Sequence, residues 1–219
     1  MGTSGGSKLA VMAIIHQATL TPTKMELLER WLPGRPWLPD SGSAPEKVGH
    51  FRFDDPGGEV GLETILVRSG GAVFQVPLSY RGAPLVGADG FLVGTLEHSV
   101  LGTRWVYDAC ADPCYVRALA GAVLAGQPQA KHYLQVDGAE KVLPESVLVH
   151  STEAAAAAVP DVEDVTVEET REGSVIRSGE LRIVVRRRLD AAEEPAARAL
   201  IGTWEGQETP VTLAVVTAA

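Results

Sequence analysis

From Val48 to Arg81 apolar and polar residues alternate in three runs, Val48–Asp54, Glu59–Arg68 and Ala72–Arg81. Alternation is what a strand with one buried face requires, because successive side chains point to opposite sides. The joints carry turn chemistry: Pro56-Gly57-Gly58, then Gly70-Gly71, which supplies positive φ at both positions of a two-residue hairpin. The pattern predicts an antiparallel meander, with Pro77 marking the third run as an edge or bulged strand because proline cannot donate to a ladder.

On either side the spacing becomes helical. Met25, Leu28 and Leu32 recur behind Thr21, read as an N-cap, and Pro22, read as the first helical position; Pro33 and Gly34 end that helix. Val116, Leu119, Ala120, Val123 and Leu124 form an apolar stripe behind Asp112 and Pro113, and Gly126 and Pro128 close it. This second helix is expected to lie across the sheet. Further strand-like runs are Leu9–Ile15, Ala130–Val136, Ser146–His150, Ser174–Arg177, Leu181–Leu189 and Val211–Thr217, with a short helix predicted over Glu193–Ile201. Strands and helices are segregated, so the class is α+β.

Met1–Ser7 is a Gly- and Ser-rich lead-in. Two bodies are expected, 8–134 and 135–219. The Ala154–Ala158 run, followed by Val159, Pro160 and the acidic Asp161, Glu163 and Asp164, offers a boundary nearer 160. The 219 residues are 45% hydrophobic and carry a formal charge of −9. That balance argues against nucleic acid or an anionic membrane as partner, since phosphate binding needs clustered Lys and Arg. Two cysteines are too few for a disulfide framework and fit a reducing compartment, so the expected address is the cytoplasm. The apolar stretch before His16 is too short for a membrane span and lacks a signal-peptide pattern.

The motifs assign no reaction. Cys110-Ala-Asp-Pro-Cys114 offers two metal ligands where a structural zinc site needs four, and the five histidines, His16, His50, His98, His132 and His150, fall on separate elements. No metal and no cofactor is therefore expected. Glu97-His98-Ser99 has the residue types of an acid, a base and a nucleophile, but neighbours in sequence diverge in direction. Asp54 and Asp55 precede a turn, where aspartates serve the backbone. Trp31, Trp37, Trp105 and Trp204, with Tyr80, Tyr107 and Tyr115, read as core material before a sugar platform. Arg186-Arg187-Arg188, beside Asp190, Glu193 and Glu194, reads as a solvated face. Neither GxxxxGK[ST] nor a kinase catalytic loop occurs.

Four stretches resemble the N-terminal cap that precedes the kinase core in actinobacterial maltokinases. They are Thr19-Leu-Thr-Pro-Thr-Lys-Met-Glu-Leu-Leu with Trp31-Leu-Pro and Pro36-Trp37, Phe53-Asp-Asp-Pro-Gly-Gly-Glu-Val-Gly-Leu-Glu, Val76-Pro-Leu-Ser-Tyr-Arg-Gly-Ala-Pro-Leu, and Gly94-Thr-Leu-Glu-His-Ser-Val-Leu-Gly-Thr-Arg-Trp-Val-Tyr-Asp-Ala-Cys-Ala-Asp-Pro. Together they cover roughly residues 8–134 in the expected order. More weakly, Gly173-Ser-Val-Ile-Arg-Ser-Gly-Glu-Leu-Arg-Ile-Val-Val-Arg-Arg-Arg-Leu is similar to the family's small-lobe motif N-T-S-V-V-x-G-D-x-L-I-L-K, and places Val184 at the nucleotide-binding lysine. Leu200-Ile-Gly-Thr-Trp-Glu-Gly and Thr212-Leu-Ala-Val-Val resemble later strands of that lobe.

The resemblance implies a curved antiparallel sheet with packed helices, of cystatin-like topology, followed by a small β-rich remnant of a kinase small lobe. Valine offers nucleotide phosphates neither charge nor donor, and the sequence stops at Ala219, about where such a kinase enters its large lobe. The expected function is a non-catalytic, cap-like binding or regulatory protein of actinobacterial sugar or α-glucan metabolism. The alternative is a degenerate or split sugar kinase that binds ATP and needs a second polypeptide. The expected partner is a protein or a small sugar-related ligand, with a homodimer as a further option. Tyr80, Arg81, Glu97, His98, Arg104, Trp105 and Asp108 are the expected ligand or partner surface. A third reading makes Glu97, His98, Arg104 and Asp108 an active site, which requires a pocket holding them together.

Overall fold

A computed structural model describes residues 14–15, 19–39, 42–131, 133–136, 139–153, 157–189 and 196–218. The chain opens with two short strands, β1 (Ile14–Ile15) and β2 (Leu20–Thr21), and the helix α1 (Lys24–Trp31). The meander follows as β3 (Glu46–Phe53), β4 (Gly61–Ser69) and β5 (Ala72–Arg81), then a hairpin of β6 (Leu92–His98) and β7 (Gly102–Asp108). After α2 (Pro113–Leu124) come β8 (Tyr133–Val136), β9 (Ala139–Val142), β10 (Val147–Ser151), β11 (Thr166–Glu169), β12 (Gly173–Ser178), β13 (Leu181–Arg186), β14 (Ala199–Trp204) and β15 (Gln207–Ala218). The result is α+β with strands dominant.

Two six-stranded antiparallel sheets carry the fold. The first runs β2-β6-β7-β5-β4-β3, the second β10-β14-β15-β13-β12-β11. A small third sheet, β1-β8-β9, stands apart, with β1 parallel to β8. One face of the first sheet packs α1 through Ile65, Val67, Phe74, Val76, Leu78, Leu96 and Val106. Its other face, through Phe51, Phe53, Leu62 and Leu66, shares a core with α2 and with Ile176, Ile183, Val185, Leu213 and Val216 of the second sheet. Helix α2 therefore lies between two sheets. Its sequence shows one stripe, yet Tyr115, Ala118, Gly121 and Ala122 are buried as well, because a helix covered on both sides must be apolar all round.

The meander forms as its alternation predicts, and Gly70 and Gly71 take φ of 56° and 84° in the β4–β5 turn. Three expectations change. The cap of α1 is Thr23, not Thr21: its side chain accepts from the Glu26 N–H while Glu26 reaches back to the Thr23 backbone, a reciprocal pair that satisfies two otherwise orphaned donors. Pro22 lies outside the helix. Glu193–Ile201 lies partly outside the described residues, and where it re-enters, Ala199–Ile201 belongs to β14, whose apolar residues pair with β15 and β10. The first run, Leu9–Ile15, is described at Ile14–Ile15, which is strand.

Pro77 is the third change. Strand β5 is central, with β4 on one side. On the other, β7 pairs with Leu78–Arg81, and the segment after β13 takes over at Phe74, with Gln75 N–H donating to Arg187 O (2.9 Å) and Leu189 N–H to Val73 O (2.8 Å). The nitrogen of Pro77 shares the side of the Gln75 nitrogen and falls where one neighbour hands over to the other, the place where a missing donor costs nothing. The edge near Pro77 is therefore covered. Gln75 adds a tie between the sheets, its buried amide donating to Arg186 O (2.5 Å) and Leu213 O (2.6 Å).

Candidate functional site

The residues expected to form one surface divide between two faces of the first sheet. Leu96 and Val106 face α1, so their cross-strand partners Arg104 and Tyr80 do too. Asp108, opposite Leu78, follows the same alternation, as does His98 two positions from Leu96. Arg81 and Trp105 are opposite one another on the other face, as are Glu97 and Thr103.

The hairpin end is a closed set of turn bonds. His98 Nδ1 accepts from the N–H groups of Val100 (3.2 Å) and Leu101 (3.1 Å), Thr103 Oγ1 donates to Glu97 (2.7 Å), and Arg104 donates to Leu101 O (2.7 Å). Ser99 Oγ accepts from Thr19 N–H at 3.0 Å. Asp108 lies at the opposite end of β7, four residues or about 13 Å from Arg104 along the strand. The four groups of the enzyme reading do not meet in one pocket. Asp55 likewise serves its turn, its carboxylate accepting from Gly57, Glu59 and Val60 N–H at 3.0–3.2 Å.

Asp108 and Asp112 anchor the polar interior. Asp112 caps α2 through Cys114 N–H (2.9 Å) and takes a two-pronged bond from Arg81, both distances 2.6 Å. Asp108 pairs with Arg187, and both are fully buried. Arg187 Nε donates to Ser174 Oγ (2.9 Å), its Nη2 approaches Cys110 Sγ (3.3 Å), and its Cζ stands 4.7 Å from the centre of the Trp37 ring. Trp37 Nε1 donates to Glu169 (2.9 Å). The arginine run is thus not a solvated face. Leu189 and Arg187 point inward when their segment pairs with β5, while Arg188 stays exposed. Burial pushes the Cys110 thiol well above its usual range. Among the described residues no group of three or more His, Cys, Asp or Glu could hold a metal ion. His16 and His132 lie outside the described residues.

A second polar cluster, missed at the sequence level, lies under the start of α1. Glu63, buried at 3% exposure, pairs with Lys24, accepts from Tyr80 OH (3.0 Å), and has His50 Nε2 at 3.9 Å. Arg52 is its direct cross-strand partner. Burial alone would raise the Glu63 pKa, but Lys24, His50 and Arg52 outweigh it and bring it to about 2. Burial, then Glu63 itself, pushes the Tyr80 phenol up. A carboxyl depressed from 4.5 to about 2 contributes stability that is full above the unfolded pKa and is lost as pH falls between those values. The loss is up to ~3 kcal/mol. Glu63→Gln is expected to flatten acid unfolding, followed by circular dichroism, across that window; an unchanged slope would acquit Glu63.

An open hollow of about 340 Å³ lies elsewhere, on the second sheet, and Glu145, Leu148, Trp204, Glu205 and Glu208 are among the residues that line it. No helix among the described residues is long and apolar enough to cross a membrane.

Residues 31–112 match the family described as maltokinase N-terminal cap domain. This shows the resemblance carried by the Trp31, Phe53, Val76 and Gly94 stretches, over a narrower span than 8–134. A 59-residue stretch is 38% identical to an NADH-quinone oxidoreductase subunit of Phocaeicola vulgatus, covering 26% of this chain and 30% of that protein. The chain thus spans under a third of that relative's length.

Proposed function

We propose that this maltokinase-related chain, with its cap region at 31–112, acts by binding and not by phosphoryl transfer, as a regulatory or adaptor protein of sugar or α-glucan metabolism in an actinobacterium. In this reading the first sheet and α1 are the cap, of cystatin-like topology, and the second sheet is a remnant resembling a kinase small lobe.

The observation that carries the reading is the setting of Val184. Leu181, Ile183 and Val185 face the core, so Val184 projects from the opposite face of β13, between its cross-strand partners Val175 and Val215. A hydrocarbon in a row of valines gives nucleotide phosphates no charge and no hydrogen bond. The degenerate-kinase reading draws on Arg182 and Arg186, which flank Val184 on the same face.

Calorimetric titration with Mg-ATP separates the two. The expected result is no saturable binding tighter than about 0.1 mM, roughly 5–6 kcal/mol. Binding tighter than that, weakened by Arg182→Gln or Arg186→Gln, would establish the kinase-derived site instead.

A further inference from the structure

We propose that the α1-bearing face of the first sheet holds a binding site for a phosphate-class oxyanion, formed by Lys24, Lys47, His50 and Arg52 around Glu63. A β-bulge creates the array. Lys47 is opposite Val67 and His50 opposite Ile65, with the register shifting between Lys47 and Gly49. Without that extra residue, strict alternation would send Lys47 to the face opposite His50 and Arg52. With it, Lys47, His50 and Arg52 follow one another along the face on which Val67 and Ile65 pack against α1. Lys24, at the start of α1, closes in from above by pairing with Glu63.

Cation is in excess here. Glu63 already serves Lys24 and Tyr80, whereas Lys47 and Arg52 enter no ion pair among the described residues. Arg52 Nε is buried with no hydrogen-bond partner among them, and a buried unpaired donor calls for an ion or a water. Asp54, just beyond β3, is a further carboxylate in the field of Arg52 and is exposed. Burial lowers the Lys47 pKa, and Lys24 lowers it further against the opposing pull of Glu63. All this occurs in a chain of net charge −9. An oxyanion between Lys47 and Arg52 supplies the missing acceptor and relieves the like-charge crowding, with the guanidinium fork suited to two of its oxygens.

The test is calorimetry of the full chain at low ionic strength with sodium phosphate, against a sodium chloride control, repeated with glycerol 2-phosphate. The expected result is saturable binding in the millimolar range, weakened at least about tenfold by Lys47→Gln and by Arg52→Gln, as loss of a charge-assisted hydrogen bond implies. Arg171→Gln, in the exposed turn between β11 and β12, should leave it unchanged. Tighter binding of the ester points to a phosphorylated metabolite and tighter binding of free phosphate to the inorganic ion; either supports the site. No saturable heat with either probe, or affinities indifferent to both variants, overturns it. Should Arg52→Gln fail to fold, the exposed Lys47 carries the comparison. The site stands apart from the binding-module reading: missing phosphate heat would remove the site alone, whereas tight Mg-ATP binding that survives Lys47→Gln and Arg52→Gln would remove that reading alone.

Discussion

Asp108→Ala is expected to lower the unfolding free energy by about 3–5 kcal/mol, read as a drop in the urea midpoint at unchanged slope. Arg187 has no exposed surface, and its other polar contacts are a serine hydroxyl and a thiol. Removing the carboxylate leaves a guanidinium charge inside the protein with no counter-charge in contact, which costs far more than the net worth of the pair. Replacing both residues with apolar ones, Asp108→Leu with Arg187→Met, should therefore recover much of the loss. A single Asp108→Ala variant within 1 kcal/mol of the parent, a difference on the scale of an exposed ion pair, would mean that the interior admits water to Arg187.

Trp37→Ala should cost a similar amount, about 3–5 kcal/mol. The ring is 2% exposed and lies 6.1 Å from Trp31 and 6.3 Å from Phe74, with Arg187 on its face and Glu169 on its indole N–H. It thereby joins the segment after α1 to β11 and to the end of β13. Trp37→Phe keeps most of the packing and loses the hydrogen bond, so a loss of about 1 kcal/mol is expected. The order parent, Phe, Ala in denaturant midpoints is the check. Because Arg187 touches the ring, combining Trp37→Ala with Asp108→Ala should give a non-additive sum. Strict additivity would show that the two contacts act separately.

The family region was readable in sequence because it rests on ordered motifs, and so were the elements set by near neighbours. Asp112 and Pro113 announce α2 because capping and proline act within one turn, and Gly70-Gly71 announces its hairpin because positive φ is a local need. The β6–β7 hairpin carries little alternation: Gly94 breaks β6 at an irregular register, and the turn is held by the His98 side chain, which no turn dipeptide signals. Tyr80, Arg81, Glu97, His98, Arg104, Trp105 and Asp108 are neighbours in chemistry and sequence, and their division between two faces follows from pairing partners that composition does not reveal.

What the sequence determined by itself is the class, the meander, both helices and the relation to the maltokinase cap, since period, caps and turns are properties of residues a few positions apart. Only the tertiary structure decided which of three consecutive arginines is buried, why α2 is covered on both sides, and how Lys47 comes to share a face with His50 and Arg52. Arg187 goes inside because its segment pairs with β5, 111 positions away at Gln75 and Arg186, and because Asp108 waits there. Lys47 turns because one residue bulges against β4. Such outcomes depend on closing long loops and on whatever surface the closure brings opposite, and no window along the chain contains both partners.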